Sequence, residues 1–179
     1  MPLISTALLH QGPIIRLHED TVEFPDGSTG TLDIVRHPGA SAIVPMLDDP
    51  SSFDPRVLLI RQFRHAVGGW IWEIPAGRLD AGEKEHPERA AARELTEETG
   101  YTAARLERLT SIVTTPGFSD EIIHLFLATG LTPGRHHREQ DEFMEMHEVR
   151  WSEAMRMARS GGIRDAKTLV GLMMVDGRR

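Results

Sequence analysis

The chain has 179 residues, 20 lysines and arginines against 27 aspartates and glutamates, a formal net charge of −7 and no cysteine. That composition excludes disulfides and thiol catalysis, and it argues against a surface built to neutralise nucleic-acid phosphates. No apolar run reaches the length of a membrane span, and the start MPLISTALLHQ lacks a basic region followed by a long apolar one, so a cytoplasmic protein with no membrane partner is expected.

Residues 13 to 36 alternate in character through Ile14, Ile15, Leu17, Val22, Phe24, Leu32 and Ile34, with turn signals at Pro25-Asp26-Gly27 and at Gly30. They predict two or three antiparallel strands, a unit that must pack on something to be stable. The apolar runs 42–47 and 57–60 read as buried strands joined by a loop over 48–55. Trp70 and Trp72 alternate with Ile71 and Glu73 in a strand that ends at Pro75, and Ala76-Gly77 open a glycine-containing loop. Arg61 and Arg64 lie just upstream of that strand, where they suit a phosphate as well as a surface.

The loop feeds a helix. Pro87 fits a first turn, Arg89 to Ala92 are good helix formers, and Gly100 is placed to end it. At about 100° per residue, Glu94, Glu97 and Glu98 share one sector, with Ala91, Leu95 and Thr99 on the flank beside it. Glu94 and Glu98 repel as an i,i+4 pair, and the C-terminal end of a helix disfavours anions. Arg93 can offset part of this through Glu97. A hard divalent cation would offset more, and Mg²⁺ is usually held by one or two carboxylates together with substrate phosphates.

The segment 77–101 resembles the Nudix box. Gly77 and Glu83 match its first half, and Arg93, Glu94, Leu95, Glu97, Glu98 and Gly100 match its second half, with Tyr101 in the final apolar position. One departure is visible: nine residues separate Glu83 from Arg93, two more than the family pattern, which places an insertion at Lys84-Glu85-His86. The resemblance implies an α/β fold, a Nudix-type α/β/α sandwich with a mixed sheet preceded by a small antiparallel N-terminal β subdomain. It also implies hydrolysis of a nucleoside diphosphate linked to another moiety. Mg²⁺ is the implied cofactor, with Mn²⁺ an alternative. By position, Glu94 and Glu98 would be the main metal carboxylates, Glu97 would assist, Ala76 would offer its carbonyl and Arg93 would orient the glutamates.

Downstream, 104–114 reads as a strand, 115–121 as a loop and 122–127 as a strand. Pro116 and Glu121 of that loop, the run His37-Pro38-Gly39-Ala40 and the string Glu73-Ile74-Pro75-Ala76-Gly77 are similar to the ADP-ribose pyrophosphatase branch of the family. In that branch Glu121 would help hold the terminal ribose; from the residues themselves, Trp70 or Phe118 could stack on adenine, and Arg64 with Arg61 could meet phosphate. The N-terminal strands would form a dimerisation element, dividing the chain into residues 1–38 and 39–179. A glutamate on the loop before the next strand would act as base; Glu142 is chosen, with Glu139 and Asp141 close rivals. His136-His137, lacking a third ligand at suitable spacing, is read as solvated.

Two helices close the chain, one from an N-cap at Ser152 and one over 165–174, neither with identifiable chemistry. The expected reaction is hydrolysis of ADP-ribose, or a close nucleoside diphosphate sugar, to AMP and ribose 5-phosphate. The alternatives are a different nucleoside diphosphate derivative or a non-catalytic nucleotide-binding module.

Overall fold

A computed structural model describes residues 1–80, 86–134 and 143–179. The strands are β1 (Leu3–Gln11), β2 (Arg16–Glu23), β3 (Thr29–Arg36), β4 (Ala40–Pro45), β5 (Arg56–Arg64), β6 (Gly69–Glu73), β7 (Ala76–Arg78), β8 (Tyr101–Val113), β9 (Ile122–Pro133) and β10 (Met144–Arg150). The helices are α1 (Pro87–Thr99), α2 (Trp151–Arg159) and α3 (Ala166–Asp176). The chain forms two compact units: residues 1–39 with 113–122, and residues 40–112 with 123–179.

The first unit is built on an antiparallel sheet in the order β1-β2-β3. Its second hairpin turns where the sequence predicts: Asp26 accepts hydrogen bonds from the Ser28 amide (3.0 Å) and hydroxyl (2.6 Å), and Gly27 sits at φ 83°. Two details differ from expectation. Gly30 is not a turn but part of β3, where a Cβ would fall 2.6 Å from the Phe24 ring, so its lack of a side chain serves packing. Residues 3–11, assigned no structure from sequence, pair with β2 as an edge strand whose every residue is exposed. With neither face buried, β1 carries no alternation from which a strand could be read.

The second unit holds two sheets, β10-β5-β6 and β7-β4-β9-β8. The latter is mixed: β4 runs parallel to β9 and antiparallel to β7. Strand β4 is buried along its whole length and sorts its side chains between two layers. Ala42, Val44 and Met46 face a core that contains Trp151, Ala154 and Met155 from α2 and Leu172 and Val175 from α3. Ile43 points the other way, joining Ala91 and Leu95 of α1 with Phe126 and Ala128. The alternation along one strand thus fixes helices on both faces, the α/β/α sandwich expected.

Strand β8 begins at Tyr101, directly after α1, and β9 continues to Pro133, so regular structure reaches further than the apolar runs suggest. Helix α2 starts at Trp151, and Ser152 is not its cap. Asp54 accepts from the Ser152 amide (2.8 Å) and hydroxyl (3.0 Å) instead, a cap supplied from the β4–β5 loop. Among the described residues no helix is long and apolar enough to cross a membrane.

Candidate active site

Helix α1 is bounded as its sequence predicts. The His86 side chain accepts from the Glu88 amide, Pro87 occupies the first turn, and Gly100 at φ 76° donates its amide to the Thr96 carbonyl (2.8 Å). Packing of Ala91 and Leu95, both fully buried, sets the helix rotation and carries two of the three glutamates inward. Glu94 and Glu98 are 9 % and 4 % exposed, whereas the Glu97 side chain is 43 % exposed.

Both sunken carboxylates meet the short strand β7. Glu98 Oε2 accepts a hydrogen bond from the Ala76 amide at 3.1 Å. The Glu94 carboxyl lies directly over Gly77: a Cβ there would fall 2.0 Å from Glu94 Cδ and Oε1. Arg93 gathers the group, donating from Nη1 to Glu94 Oε1 (2.6 Å) and Glu97 Oε2 (2.9 Å) and from Nη2 to the Arg78 carbonyl (3.0 Å). The structure therefore brings together Arg93, Glu94, Glu97, Glu98 and Ala76, the last through its N–H.

Among the described residues no group of three or more His, Asp or Glu side chains forms a ready-made metal cage. Two carboxylates over a strand with room for no side chain at Gly77 still fit a hard, oxygen-preferring cation, because Mg²⁺ takes its remaining ligands from water and phosphate.

A second cluster lies where β6 gives way to β7. Glu73, 1 % exposed, receives a two-pronged contact from Arg64, Nε to Oε1 at 2.7 Å and Nη2 to Oε2 at 2.9 Å. Lys167 of α3 binds the same carboxylate and also reaches Asp165 Oδ1 at 3.0 Å. Burial alone would push the Glu73 carboxyl up, but the hydrogen bond from Arg64 and the charge of Lys167 hold it below the ordinary value of 4.5. The Arg64 guanidinium is raised in turn, by its hydrogen bond to Glu73 first and with a smaller contribution from Glu98. Arg64 is thus spoken for on one edge by Glu73, with 42 % of its side chain exposed.

Arg61 lies 5.6 Å from the centre of the Trp70 ring, and its Nη1 is 3.8 Å from Glu145. Trp70 is 42 % exposed and meets Phe63 edge to face. Phe118 and Glu121 belong to the first unit, where Glu121 accepts from Thr114 Oγ1 (2.8 Å) and sits 3.4 Å from His37 Nδ1. Glu83, the insertion at Lys84 and Glu85, the His136-His137 pair, and Glu142 with its rivals Glu139 and Asp141 all lie outside the described residues.

The family model for the NUDIX domain matches residues 36–169. The chain belongs to the Nudix family. It is 41 % identical over 167 residues to the ADP-ribose pyrophosphatase of Bacillus subtilis (strain 168), covering 92 % of this chain and 86 % of that one. It is 38 % identical over 171 residues to the methanol dehydrogenase activator of Bacillus methanolicus, covering 94 % and 89 %. A crystal structure of an ADP compounds hydrolase superposes with a TM-score of 0.82 at 20 % identity, over 99 % of this chain and 92 % of that one, which shows a common fold. This Nudix hydrolase thus pairs the family's acidic helix with the expected sandwich.

Sequence reasoning missed Lys167 and Thr168. A signal existed: α3 is apolar from Leu169 to Val175, and a lysine in its first turn opposes the helix dipole. Such a cation implies an acidic partner from elsewhere in this Nudix fold.

Two outcomes follow. Gly77→Ala drives a methyl group into the Glu94 carboxyl, so metal-stimulated turnover is expected to fall about tenfold or more while the circular dichroism spectrum is retained. Glu73→Gln takes the counter-charge from Arg64 and leaves Lys167 with Asp165 alone, and with Arg64 partly in water it is expected to cost roughly 2–3 kcal/mol at pH 7. Because the folded Glu73 carboxyl is depressed, the wild-type advantage exists above about pH 4.5 and disappears as pH falls through the lower folded value; urea titrations of both proteins across that range measure it.

Proposed function

We propose that this protein hydrolyses ADP-ribose, or a close nucleoside diphosphate sugar, to AMP and ribose 5-phosphate, with Mg²⁺ as cofactor and Mn²⁺ as a substitute. The observation that carries the reading is the placement of Glu94 and Glu98, two buried carboxylates seated on the backbone of Ala76 and Gly77. Burying two carboxylates on adjacent turns of one helix is costly even with Arg93 and the Ala76 amide beside them, and a module that merely held a nucleotide would have little use for them. The similarity to an ADP-ribose pyrophosphatase supports the choice of substrate.

Glu94 and Glu98 would hold the cation, with Glu97 and the Ala76 carbonyl completing its protein ligands. When bound, the cation neutralises charge on the diphosphate and lowers the pKa of a bound water. Arg93 keeps the glutamates from splaying apart. Arg64, braced by Glu73, extends its free edge toward phosphate, and Arg61 stands beside Trp70 on the same sheet, offering a charged and a flat surface to the nucleotide. Glu142 takes a proton from the attacking water as its oxygen bonds to phosphorus and the bridging P–O bond breaks.

We also propose that residues 1–38 form a homodimer contact. On the edge strand β1, Leu3, Ile4, Leu8 and Leu9 are each more than half exposed, an apolar set that a lone copy would leave in water.

Release of AMP from ADP-ribose and a panel of sugar nucleotides, with and without Mg²⁺, tests the reaction. Glu98→Gln is expected to lower turnover on the order of a hundredfold or more with the fold intact; near-wild-type turnover would remove the metal role. Replacing Leu8 and Leu9 together by glutamate is expected to convert a dimer to a monomer in sedimentation velocity, and an unchanged sedimentation coefficient would reject the contact.

A further inference from the structure

The segment from Glu73 to Gly77 passes between two sheets. Up to Glu73 it pairs with β5, whose Ile60 lies opposite; from Ala76 it pairs with β4, beginning at Ala42. At the transfer, Pro75 has no amide to donate, and Ile74 is fully buried. A buried amide at such a point needs an acceptor from outside the ladder. Thr168 supplies it: its Oγ1 accepts from the Ile74 amide at 2.8 Å and donates to Asp165 Oδ2 at 2.6 Å. Thr168 is itself fully buried, and its amide donates to the same Asp165 oxygen at 3.0 Å.

One residue before, Lys167 grips Glu73. A lysine in the first turn of a helix is disfavoured by the dipole, and burying its stem removes water from the charge, so Lys167 is held there by Glu73 and Asp165. Helix α3 therefore fastens two consecutive residues, Glu73 by its charge and Ile74 by its amide. Two residues further on, the same backbone donates to Glu98 and passes beneath Glu94.

We propose that Thr168 and Lys167 are positioning residues of the hydrolytic site, fixing Glu73 and Ile74 and through them the Ala76-Gly77 backbone against which the metal-binding glutamates are set. The inference rests on the metal-dependent reaction proposed above. It gives α3, which reaches neither Ala76 nor the glutamates through the bonds described, a part in the geometry of the site. Lys167 serves a second end: it shares the Glu73 carboxylate with Arg64, so the direction of the phosphate-facing arginine depends on where α3 begins. The charged groups acting on Glu73 are Arg64 from β5 and Lys167 from the start of α3; Glu98 and Asp165 act in turn on Arg64, and Asp165 also pairs with Lys167.

Thr168→Val keeps the shape of the side chain and removes the acceptor; Thr168→Ser keeps the acceptor. Each is measured by calorimetric titration of Mn²⁺ into the nucleotide-free protein, by kcat for ADP-ribose at saturating Mn²⁺, and by the midpoint of thermal unfolding. Thr168→Val is expected to weaken Mn²⁺ binding several-fold and to lower kcat roughly 10- to 100-fold at a temperature where it is folded, and Thr168→Ser to recover both. A lowered midpoint with unchanged Mn²⁺ affinity and kcat would show a role in stability alone and overturn the proposal, as would a serine variant that recovers neither. If Thr168→Val does not fold, Lys167→Met and Lys167→Arg decide the matter: the first is expected to raise KM by weakening the hold on Arg64 and the second to restore it, and an unchanged KM in both overturns the proposal. A wild-type protein that neither binds Mn²⁺ nor cleaves a diphosphate would overturn the functional reading and this inference together, whereas an active wild type beside unaltered variants overturns this inference alone.

Discussion

Two carboxylates pressed onto a bare stretch of backbone set the terms for the rest of this molecule. Glu94 and Glu98 can be buried because Leu95 and Ala91 fill the adjoining face of α1 with apolar contact, because Arg93 ties Glu94 to Glu97, and because β7 presents Ala76 and Gly77 at the point of approach. Burying charge costs more than leaving it in water unless each oxygen finds a partner. The sandwich meets that demand by packing α1 on one face of β4 and using β7, the neighbour of β4, as the floor of the site.

The parts of this arrangement that follow local rules were readable from sequence. Pro87 and Gly100 mark the ends of α1, the spacing of Glu94, Glu97 and Glu98 puts them in one sector, and the runs at 42–47 and 57–60 are short and apolar enough to be buried strands. What escaped is which distant residues meet, even where one of them, such as Lys167 in the first turn of α3, is locally conspicuous. Thr168 bonds to Ile74 and Lys167 to Glu73 across 94 positions of chain, and Asp54 caps α2 across 98. No periodicity or turn rule links such pairs. Strand β1 escaped for the opposite reason: exposed on both faces, it has no alternation to betray it. Gly30 misled because glycine marks both turns and close packing, and the Phe24 ring that decides between them is not predictable from residue 30 alone.

The two clusters differ in how charge is satisfied. At Glu73 a single carboxylate is matched by Arg64 and Lys167, and its proton affinity falls despite burial. At Glu94 and Glu98 two carboxylates on adjacent turns face one strand, with Arg93 on their flank. The first suits a permanent brace, since buried pairs of good geometry resist being separated. The second suits a place where positive charge arrives with a ligand. Lying on either side of Pro75, they join a rigid support to a site that binds.

The transfer of one segment between two sheets has a dynamic consequence. Ile74 gives its amide to a helix, Pro75 gives its carbonyl to Ile43 of β4, and Ala76 gives its amide to Glu98. A segment tied to three separate elements cannot fray from any one of them, so its opening belongs to the slowest-exchanging part of the protein rather than to the loops around it. The floor of the site is therefore as persistent as the core, and whatever rearrangement accompanies catalysis must be made by the groups that approach it from above.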